Sequence, residues 1–197
     1  GAMLCTGNHN YKSNGFELIM KPIKIEDGVW IGANSIVGNA INKSWYKISI
    51  GSSHAAALQS DFTLWAWGNN GSGQLGSFDL LHRSQPVQIG TSSWSAVSAG
   101  DGFTVAVRQD SGLFAWGLNT YGQLGTNDTT TRSSPVQIGS ATNWSQVAGG
   151  QSFALARNST GAIYAWGLNS NGQLGLTNVN AGGDTITRSS PVQIGAN

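Results

Sequence analysis

From Trp45 onward the apolar residues fall in short blocks, set between turns rich in Gly, Asn, Asp and Ser. Blocks of that length between such turns predict β-strands rather than helices. Four strands recur in order. The first is read over 45–50, 94–99 and 144–149, the second over 54–58, 103–107 and 153–156. The third covers 63–67, 112–116 and 162–166, and the fourth is the Pro-Val-Gln-Ile segment beginning at Pro86, Pro135 and Pro191. Links such as Ala99-Gly100-Asp101-Gly102 have hairpin length. A leading proline suits the first position of an edge strand, where the ladder requires no donor.

In the third strand, Leu113-Phe114-Ala115-Trp116 and Ile163-Tyr164-Ala165-Trp166 alternate large aromatics with smaller apolar residues. Both faces are therefore apolar, which excludes an open sheet with one wet side. Such strands belong between stacked sheets, as in the blades of a β-propeller. The aromatic stripe, repeated at one strand position, is read as core packing rather than as a sugar-binding platform.

The blocks are copies of one unit. Trp67-Gly68, Trp116-Gly117 and Trp166-Gly167 lie 49 and then 50 residues apart, and Gly-Gln-Leu-Gly turns starting at Gly73, Gly122 and Gly172 keep that spacing. A fixed period near fifty denotes a repeat architecture. The last fourth strand arrives about six residues late, which places an insertion within 176–190. Repeat 1 is set at 45–93, repeat 2 at 94–143 and repeat 3 at 144–197. Trp67, Trp116 and Trp166, with Gly76, Gly125 and Gly175, form the expected structural signature. Residues 1–3, Gly1-Ala2-Met3, read as a tag-cleavage scar, and 4–44 as a separate segment with its linker.

That segment follows another rhythm. Ile25, Ile31 and Val37 are six apart, with Gly28-Val29-Trp30-Ile31-Gly32 among them, the period of a parallel β-helix coil. With Thr6-Gly7-Asn8-His9-Asn10-Tyr11, residues 4–37 resemble the sugar O-acetyltransferase branch of the hexapeptide-repeat acyltransferases. The resemblance implies a short left-handed β-helix-like segment, His9 as general base toward an acceptor hydroxyl, and acetyl-CoA as co-substrate. The further coils that complete the family's acyl-CoA groove are absent, and a solenoid needs stacked neighbours to bury a core. A chimera, natural or engineered, joins the two signatures most economically.

From Trp45 the text Trp-Ser-x-Val-Ser-Ala-Gly, Gly-x-Leu-x-Ala-Trp-Gly, Gly-Gln-Leu-Gly and Ser-Pro-Val-Gln-Ile-Gly resembles the regulator of chromosome condensation repeat, over 45–197. The resemblance implies an all-β fold of three four-stranded propeller-type blades, from a family whose rings have about seven. Three blades leave the ring incomplete, so completion by oligomerisation is expected, with a dimer of six blades favoured. The family's eukaryotic founder is a guanine-nucleotide exchange factor for the GTPase Ran that also binds nucleosomes. Bacterial relatives include a β-lactamase inhibitor and surface or phage-associated proteins, and the repeats here read as bacterial or phage-like in style.

Composition narrows the function. Charged residues are 10% of the chain and the net charge is +1, which supplies no electrostatic footprint for nucleic acid. No apolar run has the length to span a bilayer, so no membrane association is expected. No charged-then-apolar leader is read, and the compartment stays open. The single cysteine, Cys5, excludes an internal disulfide and a cysteine zinc site. Nine acids scatter through loops without a catalytic or metal-ligating arrangement, so no enzyme, metal or cofactor is expected. Gly71-Ser72-Gly73-Gln74-Leu75-Gly76 spells a dinucleotide fingerprint, but no helical pattern follows it, and it is read as a turn.

His54, Phe103 and Phe153 share one position at the start of the second strand. With Tyr121 from a neighbouring loop they form the candidate partner-binding face, since aromatic side chains make good interface anchors. Loops 69–72, 119–121 and 169–171 have a composition common to adaptable binding loops and to ordinary turns. The expected function is a non-catalytic module for protein binding or scaffolding, self-associating through open blade faces and holding a further protein partner. The alternatives are an acetyltransferase fragment using His9 and nucleotide exchange on a Ran-like GTPase.

Overall fold

The computed structural model describes residues 44–176 and 184–195. Cys5, His9 and the β-helix-like segment lie outside the described residues, as does much of the insertion within 176–190. The described residues form strands and turns without helix.

β1 (Trp45–Ile50), β2 (His54–Gln59) and β3 (Thr63–Gly68) lead into a long β4 (Arg83–Ala99), followed by β5 (Phe103–Arg108), β6 (Leu113–Gly117) and β7 (Arg132–Gln137). These seven pair in sequence order in one antiparallel sheet. β8 (Trp144–Gly149), β9 (Phe153–Asn158), β10 (Ile163–Gly167) and β11 (Arg188–Gln193) form a second antiparallel sheet of four.

β4 serves two repeats. Val87 and Gln88 pair with Ala66 and Trp65 of β3, whereas 94–99 pair with β5. The chain thus stays extended where the sequence pattern placed a repeat boundary. Pro86, Pro135 and Pro191 depart from expectation, because each lies inside its strand rather than opening it. In all three copies the register slips beside the proline, between Ala66 and Gly68, Ala115 and Gly117, or Ala165 and Gly167 of the partner strand. A bulge leaves a residue out of the ladder, so a missing N–H is tolerated there.

The core lies between repeats, as strands apolar on both faces require. Ala56, Leu58, Leu64 and Ala66 of repeat 1 share a buried cluster with Trp94, Val97, Ala106, Phe114 and Trp116 of repeat 2. Phe103, Val105, Leu113 and Ala115 of repeat 2 share another with Trp144, Ala154, Ala156 and Trp166 of repeat 3. Each repeat therefore has a forward face, of aliphatics and the second-strand ring, and a backward face dominated by tryptophan. Fully burying one such large side chain stabilises by about 1.5–3 kcal/mol.

The Trp-Gly and Gly-Gln-Leu-Gly motifs meet at these interfaces. Trp116 Nε1 donates to the Gln74 carbonyl at 3.0 Å, and Trp166 Nε1 donates to the Gln123 carbonyl at 2.9 Å. A Cβ at Gly76 would stand 2.7 Å from Trp116 Nε1, and one at Gly125 2.8 Å from Trp166 Nε1. Each indole thus lies flush on the turn of the preceding repeat, where both glycines also adopt positive φ (77° and 74°). The loops behind these turns are pinned from within. Asn70, Asn119 and Asn169 are buried, and Asn119 Nδ2 donates to the Asp128 carbonyl at 3.0 Å while its Oδ1 accepts from Leu124 N–H at 3.0 Å. These asparagines act as turn linchpins rather than as adaptable contact residues.

Candidate partner-binding surfaces

The hairpin loops after β1, the second half of β4 and β8 converge, because glycine there lets successive backbones touch. A Cβ at Gly100 would stand 2.6 Å from the Gly150 carbonyl. Ser49 Oγ accepts from Ala99 N–H and Ser98 Oγ from Gly149 N–H, both at 2.9 Å, which ties the first strands of successive repeats together. Gly51, Ser52, Gly100, Asp101, Gly150 and Gln151 line a hollow of about 500 Å³ at this inner rim. Its walls are mostly backbone, with one carboxylate and short polar side chains, a surface suited to hydrogen bonding with a polypeptide.

Beneath the rim lie three of the residues singled out from sequence. Cβ atoms at Gly51, Gly100 and Gly150 would run into the rings of His54, Phe103 and Phe153 respectively. His54 and Phe103 are 3% and 0% exposed, and their rings support the rim from below. Phe153 is half-buried, and Tyr121 is 44% exposed on a separate loop. The structure therefore brings His54, Phe103 and Phe153 into equivalent positions and leaves Tyr121 apart from them.

His54 has a defined tautomer. Thr104 Oγ1 donates its proton to the Gln74 carbonyl at 2.8 Å, so at 2.9 Å it can only accept from His54 Nε2–H. Nδ1 is left bare, buried and without a partner. Burial lowers the His54 pKa from 6.5 to about 4, opposed by the charge of Asp101. At neutral pH the ring is an uncharged structural element.

Two further surfaces lie on the blade faces, where the sequence placed no individual residues. On the backward face of repeat 1, Trp45 packs edge-on to Trp65 (6.0 Å between ring centroids) and lies 6.5 Å from Trp67. The same trio recurs as Trp94, Phe114 and Trp116, buried against repeat 1, and Trp144, Tyr164 and Trp166 occupy the matching places in repeat 3. In repeat 1 Trp65 and Trp67 are half-buried and Trp45 is 46% exposed, with Ile48 (69%) and Ile50 (76%) on the same strand. The sequence carried a signal, since repeats 2 and 3 have Val97 and Ala99, or Val147 and Gly149, where repeat 1 has Ile48 and Ile50. On repeat 3, Gln146, Ala148, Leu155 and Ile163 line a hollow of about 370 Å³, which Lys47 of repeat 1 also borders. Among the described residues, no group of three His, Cys, Asp or Glu is placed to hold a metal ion, and no helix is long and apolar enough to cross a membrane.

The chain matches the family model described as Regulator of chromosome condensation (RCC1) repeat over residues 63–107, 110–157 and 160–197. A second model of the same description matches 45–74, 94–123 and 144–173. No curated protein matches the chain. Among solved structures it is similar to human WBSCR16, with 22% identity and a TM-score of 0.68, covering 78% of this chain and 38% of that one. It is also similar to Prp20p from Saccharomyces cerevisiae, with 22% identity and a TM-score of 0.65, covering 76% and 38%. Yeast RCC1 (Prp20) bound to Kap60 gives 22% identity and a TM-score of 0.62, covering 77% and 37%. The chain thus spans less than two fifths of each of these structures, and the likeness is one of fold.

Proposed function

This chain belongs to the regulator of chromosome condensation (RCC1) repeat family, and from that membership we propose that it is a non-catalytic protein-binding module of β-propeller type. The three four-stranded units are three blades of an incomplete ring, and the open faces of the first and last blade drive self-association. The observation that carries this reading is the backward face of repeat 1, where Trp45, Ile48 and Ile50 are exposed, whereas Trp94 and Trp144, the counterparts of Trp45, are buried between repeats. Exposed apolar surface of this kind marks an interaction site in a folded protein. A further protein partner would lie on the inner rim at Asp101 and Gln151, with Tyr121 and Phe153 as the sequence candidates that have surface to offer. Two similar structures support a protein as the ligand class: Prp20p is described with its binding to Gsp1p and histones, and yeast RCC1 as bound to Kap60.

The test is the solution mass by light scattering on a size-exclusion column, across a range of loading concentrations. A species heavier than one 20.5 kDa chain, shifting with concentration, is expected. A single-chain mass at every concentration refutes self-association through the open faces.

A further inference from the structure

We propose that the two open faces are the halves of one more repeat-to-repeat interface, and that a second copy of this chain docks head to tail, its repeat 1 on the repeat 3 of the first. This rests on the self-association read above and adds its partner, polarity and register.

Three contacts recur at both internal interfaces, and each has an unfilled half at either end. The indole of one repeat lies on the Gly-Gln-Leu-Gly turn before it. At the ends, Trp67 is half-buried and meets no Gly-Gln-Leu-Gly turn among the described residues, while a Cβ at Gly175 would find nothing nearer than Ile194 at 3.8 Å. The backbone of a fourth-strand serine crosses the first glycine of the same turn, with a Cβ at Gly73 2.5 Å from Ser133 Cα and one at Gly122 2.6 Å from Ser189 Cα. Gly172 has open space at that place, and Ser84 is the corresponding residue of repeat 1. The second-strand ring faces a residue chosen to match it. His54 is met by the Thr104 hydroxyl, whereas Phe103 shares its core with Ala154. Phe153 calls for a small apolar partner, and repeat 1 supplies Ala55 at the matching position.

The first strand shows that the open junction is matched within itself. Internally, Ser49 and Ser98 point forward to bond a backbone N–H, and small residues, Ala99 and Gly149, face them. At the ends the sizes are reversed. Ala148 stands where a serine would, without a hydroxyl, and lines the 370 Å³ hollow, while Ile48 and Ile50 project from repeat 1. The hollow is lined by Ala148, Leu155 and Ile163 together with Lys47, Gln146 and Arg157, so two entering isoleucines would replace the lost hydrogen bond with apolar packing beside the aliphatic stems of the two cations. Pairing two repeat 1 faces with each other would set the exposed Trp45, Ile48 and Ile50 against themselves and leave the turn of repeat 3 unfilled. A contact between different patches is heterologous, so each chain carries one of each half.

The experiment uses the full chain with Ile50→Glu or Ile163→Glu, at sites 76% and 44% exposed, so that neither change disturbs the folded repeats. Circular dichroism and the thermal midpoint confirm this for each variant. Alone, each variant places a glutamate in every junction it can form, and its self-association is expected to weaken about 30-fold or more, the scale of an interface hot spot. Mixing the two variants leaves one junction fully parental, with Ile50 from the Ile163→Glu chain meeting Ile163 from the Ile50→Glu chain. Restored association in the mixture, read by light scattering, supports the head-to-tail register. Association of the parent without rescue in the mixture overturns the register and leaves the self-association reading intact. A parent that stays single-chain throughout overturns both.

Discussion

Acid should unfold this protein partly through His54, and the effect can be worked from its surroundings. The folded-state pKa is lowered to about 4 by burial, against an ordinary 6.5. The unfolded chain therefore binds the proton more readily than the folded one. The stability due to the neutral ring is fully present above about pH 6.5, is lost as the pH falls from there toward 4, and changes no further below. At about pH 4.5 the linkage relation gives a loss of about 2.5 kcal/mol relative to neutral pH. The cause is local: a proton on Nδ1 would have no acceptor, and Nε2 is already committed to Thr104. The informative perturbation is the double substitution His54→Phe with Thr104→Ala, which copies the Phe103 and Ala154 pairing of the next interface. Urea unfolding of parent and variant, at neutral pH and at about pH 4.5, isolates the effect, because the carboxylates and the other two histidines are common to both chains. With a typical urea slope, the parent midpoint should fall about 1 M further on acidification than that of the variant. Equal acid shifts in the two proteins would refute the assignment.

Four further substitutions probe the packing and the turns. Gly125→Ala combines positive φ with a Cβ 2.8 Å from Trp166 Nε1, and should destabilise by about 2–5 kcal/mol in chemical unfolding. Gly175→Ala has the strained φ without the collision and should cost about 1–2 kcal/mol in the single chain, so equal costs would argue against the indole seat. Asn119→Ala leaves the buried Leu124 N–H and the carbonyl of Asp128 without their partner, and a loss of about 2–4 kcal/mol is expected by thermal or urea melting. Ser111 sits at φ 64° in a turn where repeat 3 uses a glycine nearby (Gly161, φ 92°), so Ser111→Gly should leave stability unchanged or raise it by up to about 1 kcal/mol in the same melts.

Much of the fold was legible in the spacing alone. Strand positions, the repeat period and the need for apolar neighbours on both faces of the third strand follow from alternation and turn residues, which act over a few positions and leave a local trace. The Trp and Gly-Gln-Leu-Gly signatures were also visible, but their purpose was not. Trp116 lies 42 residues from Gln74, the carbonyl it bonds, and no local pattern records which turn an indole will reach. For the same reason His54, Phe103 and Phe153 read as one row in sequence, while their exposure was decided by the close approach of Gly51, Gly100 and Gly150 and by whether a following repeat covers them. Burial belongs to the packed assembly of repeats rather than to any one of them. The text marks repeat 1 only by Ile48 and Ile50 in place of smaller residues; tertiary structure decided the burial, sealing the tryptophans of repeats 2 and 3 and leaving Trp45, Ile48 and Ile50 open.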